Sequence, residues 1–210
     1  MYVPKHNRED DLATLQSFMQ NYPFAILVAR QNGDLVASHI PLTYDPQAGE
    51  YGTLFGHVAL GNQQWKVFDD PQEVLAIFQG PHTYISASWY EMPEKSVPTW
   101  NYAVVHAYGS TRRLTPDELF QHLAALTGML EREDGEGWQF RANDEMIQRM
   151  AKGVVGFALP ITRLEGKYKL SQNRSQNDQR LVIQALNESS GTHEQEVASM
   201  MQKHFREHEG

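Results

Sequence analysis

The chain has no cysteine among its 210 residues. It can therefore form neither disulfides nor thiolate zinc sites, and it has no cysteine nucleophile. No stretch approaches the ~20 consecutive apolar residues of a membrane-spanning helix. Residues 1–10 are polar and lack the apolar segment of a signal peptide. We therefore expect a cytoplasmic protein with no membrane partner.

Basic residues are scarce relative to acidic ones. There are 18 Lys and Arg against 26 Asp and Glu, and the formal net charge is −8. A chain of this balance is repelled by phosphate backbones unless a run of Lys or Arg forms a local basic patch, and no such run occurs. No helix-turn-helix pattern is present either. Both absences disfavour direct binding to DNA.

The sequence also lacks the common motifs of catalysis and nucleotide binding. It has no P-loop, no G-x-G-x-x-G and no G-x-S-x-G, so neither phosphoryl transfer nor hydrolysis is indicated. Nine histidines are present, but the H-E-x-x-H motif is not, and the four histidines on predicted strands lack the H-x-x-x-H spacing. His39, His57, His82 and His106 lie on separate predicted strands. We therefore predict no metal site.

Patterns that predict antiparallel strands fill the first third of the chain. Phe24 to Ala29 is a continuous apolar run, Asn32-Gly33 is a strong hairpin turn signal, and Leu35 to Thr43 is the predicted return strand. A further strand is predicted over Tyr51 to Val58. Consecutive strands of this kind favour an antiparallel sheet or barrel.

Helical signals separate the strands. Asn7 is a predicted N-cap for a helix carrying Leu12 and Met19, and a short helix after Asn62 is predicted to end at Asp70-Pro71. Two more helices are predicted in the second half of the chain. The first begins at a capping box of Thr115 and Glu118, runs through Leu130 and ends in the Glu131 to Gly137 stretch. The second covers Glu145 to Lys152.

The stretch from Gly80 to Gly109 carries more aromatic and polar side chains than a core strand needs. After a short strand over Glu73 to Gln79, Gly80-Pro81 is predicted to break the chain, and the next strand is predicted to continue through Ser88. Thr99 to Arg113 is the second predicted strand. Such a surface suits a flat, hydrogen-bonding ligand, although Trp and Tyr on strands more often serve core or interface packing.

Three motifs in this order resemble the PaiB family of FMN-binding split barrels. They are G-P-H-x-Y-I-S-x-S-W-Y from Gly80, V-P-T-W-N-Y-x-x-V-H-x-x-G from Val97, and K-L-S-Q-N-R from Lys169. The resemblance implies an α+β, mainly β fold: an FMN-binding split β-barrel of about six antiparallel strands decorated by helices. We assign residues 1–186 to this domain and residues 187–210 to an exposed tail that can be helical against a partner.

The resemblance also implies which residues bind FMN. The phosphate would be held at a helix start, where backbone N–H groups favour an anion, by His57, Asn62 and Lys66. Flat surfaces for the ring are expected from Trp89 and Trp100. Hydrogen bonds to the ring edge and the ribityl chain are expected from polar side chains of the three motifs, namely Tyr84, Ser86, Thr99, Asn101, Lys169, Ser171, Gln172 and Asn173.

Functionally, the resemblance implies a homodimer with the flavin between its subunits, of the type described as negative transcriptional regulators. An alternative is an FMN-dependent oxidoreductase acting on a small substrate, with His82, Tyr84 and Tyr90 as candidate proton donors. A further alternative is a haem-binding or haem-degrading split barrel, because a single axial histidine suffices for haem. The sequence leaves any catalytic residue undetermined.

Overall fold

The structure, a computed structural model, describes residues 1–131 and 137–207. Within these residues it contains nine β-strands and five α-helices. The strands are β1 (Arg8–Glu9), β2 (Phe24–Gln31), β3 (Asp34–Pro41), β4 (Thr43–Asp45), β5 (Thr53–Ala59), β6 (Val74–Ile85), β7 (Thr99–Gly109), β8 (Arg112–Arg113) and β9 (Val154–Lys169). The helices are α1 (Leu12–Asn21), α2 (Pro116–Leu130), α3 (Glu145–Ala151), α4 (Gln176–Asn187) and α5 (Thr192–Glu207).

The strands form one sheet in the order β3-β2-β6-β7-β9-β5-β4, and β1 and β8 also pair with β9. The pairings of β2 with β3 and β6, and of β9 with β1, β5 and β8, are all antiparallel. The prediction of a mainly β, antiparallel α+β fold is therefore confirmed. In the part of the chain that the structure describes, no helix has both the length and the apolar content needed to cross a membrane.

Residue contacts divide the chain into two compact units. Unit 1 comprises Met1–Asp11, Gln79–Val105 and Glu165–Gly210, and unit 2 comprises Leu12–Phe78 and His106–Leu164. The three long strands β6, β7 and β9 contribute residues to both units.

Unit 2 contains the predicted hairpin. Asn32 and Gly33 join β2 to β3 with φ angles of 53° and 93°, as a two-residue turn with both central residues at positive φ requires. The core of this unit includes the rings of Phe68 and Phe157, whose centroids are 4.6 Å apart and which are both fully buried. The hairpin prediction is confirmed, because local turn chemistry and strand twist agree there.

Unit 2 also contains the predicted capping box. Thr115 Oγ1 accepts from the backbone N–H of Glu118, and the Glu118 carboxylate accepts from the backbone N–H of Thr115 at 2.9 Å. Glu118 also accepts two hydrogen bonds from the guanidinium of Arg112, which is the largest reason that the pKa of this carboxyl is lowered to about 2. Residues 132–136, which belong to the predicted end of α2, lie outside the described residues.

Two predicted boundaries are wrong. Asn7 does not cap α1, since it lies in a 3₁₀ turn, and Arg8 and Glu9 then pair with Lys167 and Gly166 as β1. Backbone pairing to β9 thus prevails over a local capping signal. The Gly80-Pro81 pair does not interrupt β6 either. The register with β2 involves Leu75 to Ile77, so Pro81 lies beyond that pairing, where a missing N–H is tolerated.

The predicted strand through Ser88 is also wrong. β6 ends at Ile85, and Ala87–Trp89 form a 3₁₀ helix that Ser86 caps. The Ser86 hydroxyl accepts from the backbone N–H of Ser88 at 3.2 Å. A serine side chain that bonds its own backbone in this way offers the chain an alternative to the strand ladder. Ser86 and Ser88 therefore do not continue the strand face of Tyr84.

The C-terminal segment forms α5, and the apolar face of this helix is buried against the chain's own α4 instead of being exposed. In α5, Val197, Ala198 and Met201 are at most 2% exposed and belong to a core cluster with Val182 and Leu186 of α4. Ile85, Tyr90 and Leu170 complete the buried part of this cluster. The scattered apolar residues at helical spacing thus form part of the core of unit 1. Residues 208–210 lie outside the described residues.

We predict that Met201→Ala lowers the free energy of unfolding by about 2–5 kcal/mol, because it opens a cavity in this cluster. Met150→Ala on α3 is the matched control. Because Met150 is 64% exposed, its truncation should lower the free energy of unfolding only slightly. Urea unfolding followed by circular dichroism measures both. Equal stability of the two variants would show that α5 does not contribute to the core.

Candidate functional site

Unit 1 presents large aromatic side chains to solvent at the ends of β6 and β7. Tyr84 is 47% exposed and Trp100 is 53% exposed. Their ring centroids are 6.2 Å apart at an interplanar angle of 75°, and the ring of His82 lies 6.4 Å from that of Trp100. Exposed aromatic rings that lie next to each other can form an interaction site. We call Tyr84, Trp100 and His82 the aromatic face.

Lys169 lies beside this face and is held by two hydrogen bonds. Its Nζ donates to Thr99 Oγ1 at 2.6 Å and to the backbone carbonyl of Trp100 at 2.5 Å. Burial lowers the pKa of Lys169, and the nearby positive charges of Lys167 and Arg174 lower it further. The ammonium group is thus held in one place by neutral acceptors at the start of β7.

Asn101 and Ser171 are buried and bonded to each other. Asn101 is fully buried, and its Nδ2 donates to Ser171 Oγ at 2.9 Å and to Met201 Sδ at 3.4 Å. Ser171 adopts a positive φ of 66°, which turns the chain directly after Leu170. The pair connects β7 to the K-L-S-Q-N-R turn. Direct contact of these two residues with a ligand stays a prediction.

The other predicted ring-edge residues of unit 1 differ in exposure. Gln172 is half-buried, and its Oε1 accepts from the N–H of Leu170 at 2.7 Å while its Nε2 donates to the carbonyl of Tyr168. Asn173 is exposed. Ser86 Oγ lies 2.7 Å from Ser88 Oγ. Gln172 therefore shapes the turn, and Asn173 has a solvent-facing amide.

Trp89 and Trp100 occupy different environments in unit 1. Trp89 is half-buried and packs against the core cluster that α4 and α5 share. Trp100 is the more accessible ring of the two. Both assignments as flat surfaces for a ligand stay predictions, but Trp89 has an evident packing role.

The three residues predicted to bind phosphate belong to unit 2, where each has a different environment. Asn62 caps the 3₁₀ helix Gln63–Val67 by accepting from Gln64 N, and its Nδ2 donates to Ser38 Oγ at 2.8 Å. His57 lies against another histidine, and Lys66 is exposed. The predicted helix start at Asn62 is confirmed, although the helix is of the 3₁₀ type. The phosphate-binding role stays a prediction.

Unit 2 also contains a buried chain of polar groups that no sequence motif predicts. His57 Nδ1 lies 3.0 Å from His122 Nε2, and His122 Nδ1 lies 3.1 Å from Thr43 Oγ1. Burial lowers the pKa of His57, and burial together with the charge of His57 lowers the pKa of His122 to about 4. The available signal was the position of His122 between Leu119 and Leu126, on the apolar stripe of α2.

The donor set of unit 1 fits a flavin ring. The ring needs a flat apolar surface and hydrogen-bond donors along its edge. The aromatic face supplies accessible rings, Lys169 supplies a positioned ammonium group, and Asn173 supplies an exposed amide. Across the described ranges, no group of three or more His, Asp or Glu side chains is arranged to hold a metal ion.

Comparison with known sequences gives matches over most of the chain. The family model described as "Putative FMN-binding domain" matches residues 1–163. The chain is 35% identical over 204 residues to the Bacillus subtilis (strain 168) protein named "Protease synthase and sporulation protein PAI 2". That alignment covers 96% of this chain and 97% of the relative.

Solved structures with the same fold have little sequence identity to this chain. The FAD and heme binding protein from Mycobacterium smegmatis gives a TM-score of 0.61 at 14% identity, covering 78% of this chain and 73% of that one. The flavocytochrome Anf3 from Azotobacter vinelandii gives a TM-score of 0.61 at 13% identity, covering 80% and 72%. At such identities the likeness concerns the fold alone.

The histidine pair predicts a pH dependence of stability. Because the folded pKa values of His57 and His122 are lowered from 6.5, the unfolded chain binds more protons between about pH 4 and pH 6.5, and the free energy of unfolding falls as the pH drops through that window. At about 1.4 kcal/mol per pKa unit, the shift of His122 accounts for a loss on the order of 3 kcal/mol in the free energy of unfolding across the whole window.

Urea unfolding at pH 7.5 and pH 5 measures this difference. We expect His122→Gln to reduce the loss of stability between the two pH values, whereas His39→Gln, at an exposed position of β3, should leave it as in the wild type. A wild-type pH dependence in the His122 variant would contradict the assignment.

Proposed function

This chain belongs to the PaiB family of FMN-binding split-barrel proteins, and from that premise we propose that it is a homodimeric regulator holding FMN at the subunit interface. Family membership confirms the resemblance drawn from the three motifs and, with it, FMN as the cofactor. The dimer, the location of the flavin and the regulatory role are our proposals, and each has its own support.

The observation that carries the flavin site is the exposed pair of Tyr84 and Trp100 beside the tethered ammonium group of Lys169. We infer that the two rings cover the flavin and exclude water from it. Lys169 and Asn173 then donate hydrogen bonds to its edge. When bound, FMN would supply one-electron or hydride transfer.

Asn101 and Ser171 act indirectly in this proposal. Because both are buried and bonded to each other, they hold the K-L-S-Q-N-R turn against β7 and so position Lys169. Thr99 has a similar role, because its hydroxyl accepts from Lys169 Nζ. We keep His57, Asn62 and Lys66 as predicted phosphate ligands, and their contribution is tested separately.

The homodimer is supported by the apolar surface of unit 1. Tyr2 is 81% exposed, Val97 is 68% exposed and Met92 is 49% exposed, in addition to Tyr84 and Trp100. A soluble protein gains free energy by covering such side chains with a second subunit. In split-barrel flavoproteins, the subunit interface is also where the flavin lies.

The regulatory role is supported by the named relative. Its name connects that Bacillus protein with protease synthesis and sporulation, and we propose a regulatory function of the same kind for this chain. The net charge of −8 disfavours direct contact with DNA. We therefore propose that regulation passes through a protein partner or through the redox state of the flavin.

An FMN-dependent oxidoreductase is the second candidate, and one observation favours it. His82 belongs to the aromatic face, and its ring is 4.7 Å from that of His193 at the start of α5. Imidazole side chains commonly serve as general acids or bases. Tyr90, another sequence candidate, is only 3% exposed and is therefore poorly placed to reach a substrate in solvent.

The absorption spectrum of the purified protein tests the proposed cofactor. We expect the bands of oxidised flavin, and sedimentation velocity should give a dimer. Bleaching of these bands by NADH or NADPH would favour the oxidoreductase over the regulator. A Soret band, or a colourless monomer that stays colourless with excess FMN, would contradict the proposal.

Substitution of the exposed tryptophan tests the flavin site. We predict that Trp100→Ala weakens FMN binding about tenfold, which corresponds to ~1.4 kcal/mol, because a stacking surface is lost. Trp138→Ala is the matched control, since Trp138 is 51% exposed and belongs to unit 2. Titration of FMN fluorescence measures both, and equal affinities would exclude Trp100 from the site.

A further inference from the structure

Unit 1 carries three cations in one short segment, from Lys167 to Arg174. Lys167 and Lys169 lie on β9, and Arg174 follows in the next turn. The acid of this segment, Glu165, accepts from the N-terminal ammonium group of Met1 at 2.6 Å. Within residues 1–131 and 137–207, none of the three cations forms an ion pair with Asp or Glu. This local excess stands out in a chain of net charge −8.

Aromatic rings and a backbone carbonyl hold two of these cations in place. Lys167 Nζ lies 5.3 Å from the ring of Tyr102 and donates to the carbonyl of Tyr2 at 3.1 Å. The guanidinium of Arg174 lies 4.2 Å above the ring of Tyr90. Contacts of this kind position a cation without neutralising its charge.

The third cation, Lys169, has hydrogen-bonding capacity left over. Its Nζ donates to Thr99 Oγ1 and to the carbonyl of Trp100, and an ammonium group has three donors. Lys167 and Lys169 are two residues apart on a strand and therefore share one face. The charges of Lys167 and Arg174 also act on Lys169 and contribute to its lowered pKa. Binding of an anion would relieve this repulsion.

We propose that Lys167, Lys169 and Arg174 form a binding site for a phosphate group. Arginine binds phosphate oxygens through its planar fork of donors, and lysine binds them as a compact charge. The group can come from FMN itself, in which case Lys169 binds the phosphate in place of the ring edge proposed above, or from a separate phosphate ester that occupies unit 1. The first source rests on the proposed flavin function, and the second does not.

The predicted phosphate ligands in unit 2 are less suited to an anion than the three cations of unit 1. His57 is directed at His122, and burial lowers its pKa, so it is a poor cation at neutral pH. The side chain of Asn62 is occupied by Ser38 and by the cap of its own helix. Of the three predicted phosphate ligands in unit 2, Lys66 is therefore the one with a cationic side chain.

Calorimetric titration with FMN, riboflavin and inorganic phosphate tests the site on the full chain. The variant is Lys169→Gln combined with Arg174→Gln, and the control is Lys203→Gln, an exposed lysine of α5 in the same unit. Lys169→Arg should restore much of the affinity if charge matters. Thermal unfolding of each variant confirms that it is folded, and Lys66→Gln tests the alternative ligands in unit 2.

The titrations distinguish the phosphate of FMN from a separate phosphate ester. A loss of at least tenfold for FMN with unchanged riboflavin affinity assigns the site to the flavin phosphate, whereas a loss confined to inorganic phosphate assigns it to a separate ester. Unchanged affinity for both FMN and inorganic phosphate overturns the site, and so does a wild type that binds neither. Equal losses for FMN and riboflavin also overturn it, because they place Lys169 at the ring edge. If the wild type binds phosphate through these cations but no FMN, the site stands and the flavin function fails.

Discussion

The backbone pairing of β9 is the constraint on which the rest of the structure depends. This strand has 16 residues and pairs with β1, β5 and β8, and it also neighbours β7 in the sheet. A strand with so many partners leaves few backbone groups unpaired, and unpaired groups are costly when buried. Its C-terminal end carries Lys167 and Lys169. Chemistry at that end therefore relies on a backbone that is fixed along its length.

Unit 1 combines a buried core with an accessible aromatic surface. Asn101 and Ser171 are satisfied by each other within the buried region, so burial of this pair costs little. Tyr84 and Trp100, by contrast, remain about half exposed. Leaving such rings in water forfeits the free energy that their burial would contribute. A ligand or a second subunit that covers them recovers this free energy, which connects the proposed flavin site with the proposed dimer.

Two groups of cations differ in their partners. In unit 2, Arg112 is paired with Glu118 and Arg113 with Asp69, so these charges are locally balanced. In unit 1, Lys167, Lys169 and Arg174 are held by rings, a hydroxyl and carbonyls, all of which are neutral. Neutral partners fix the position of a charge but leave its field intact. Such an arrangement is suited to an anionic ligand.

The sequence by itself determined the features that depend on near neighbours in the chain. The turn at Asn32-Gly33 and the capping box at Thr115 were predictable, because each depends on residues within about three positions. The three motifs were likewise enough to indicate the family and FMN. The alternation of side chains on β7 also followed from its sequence, because strand geometry has a fixed period of two.

Only the tertiary structure decided what distant segments do to each other. Pairing with β9 made Arg8 and Glu9 a strand, and packing against α4 made α5 part of the core rather than an exposed tail. The contacts of His57 with His122 and of Asn101 with Ser171 join residues 65 and 70 positions apart. No local pattern encodes such contacts, because their free energy exists only once the chain has brought both partners together.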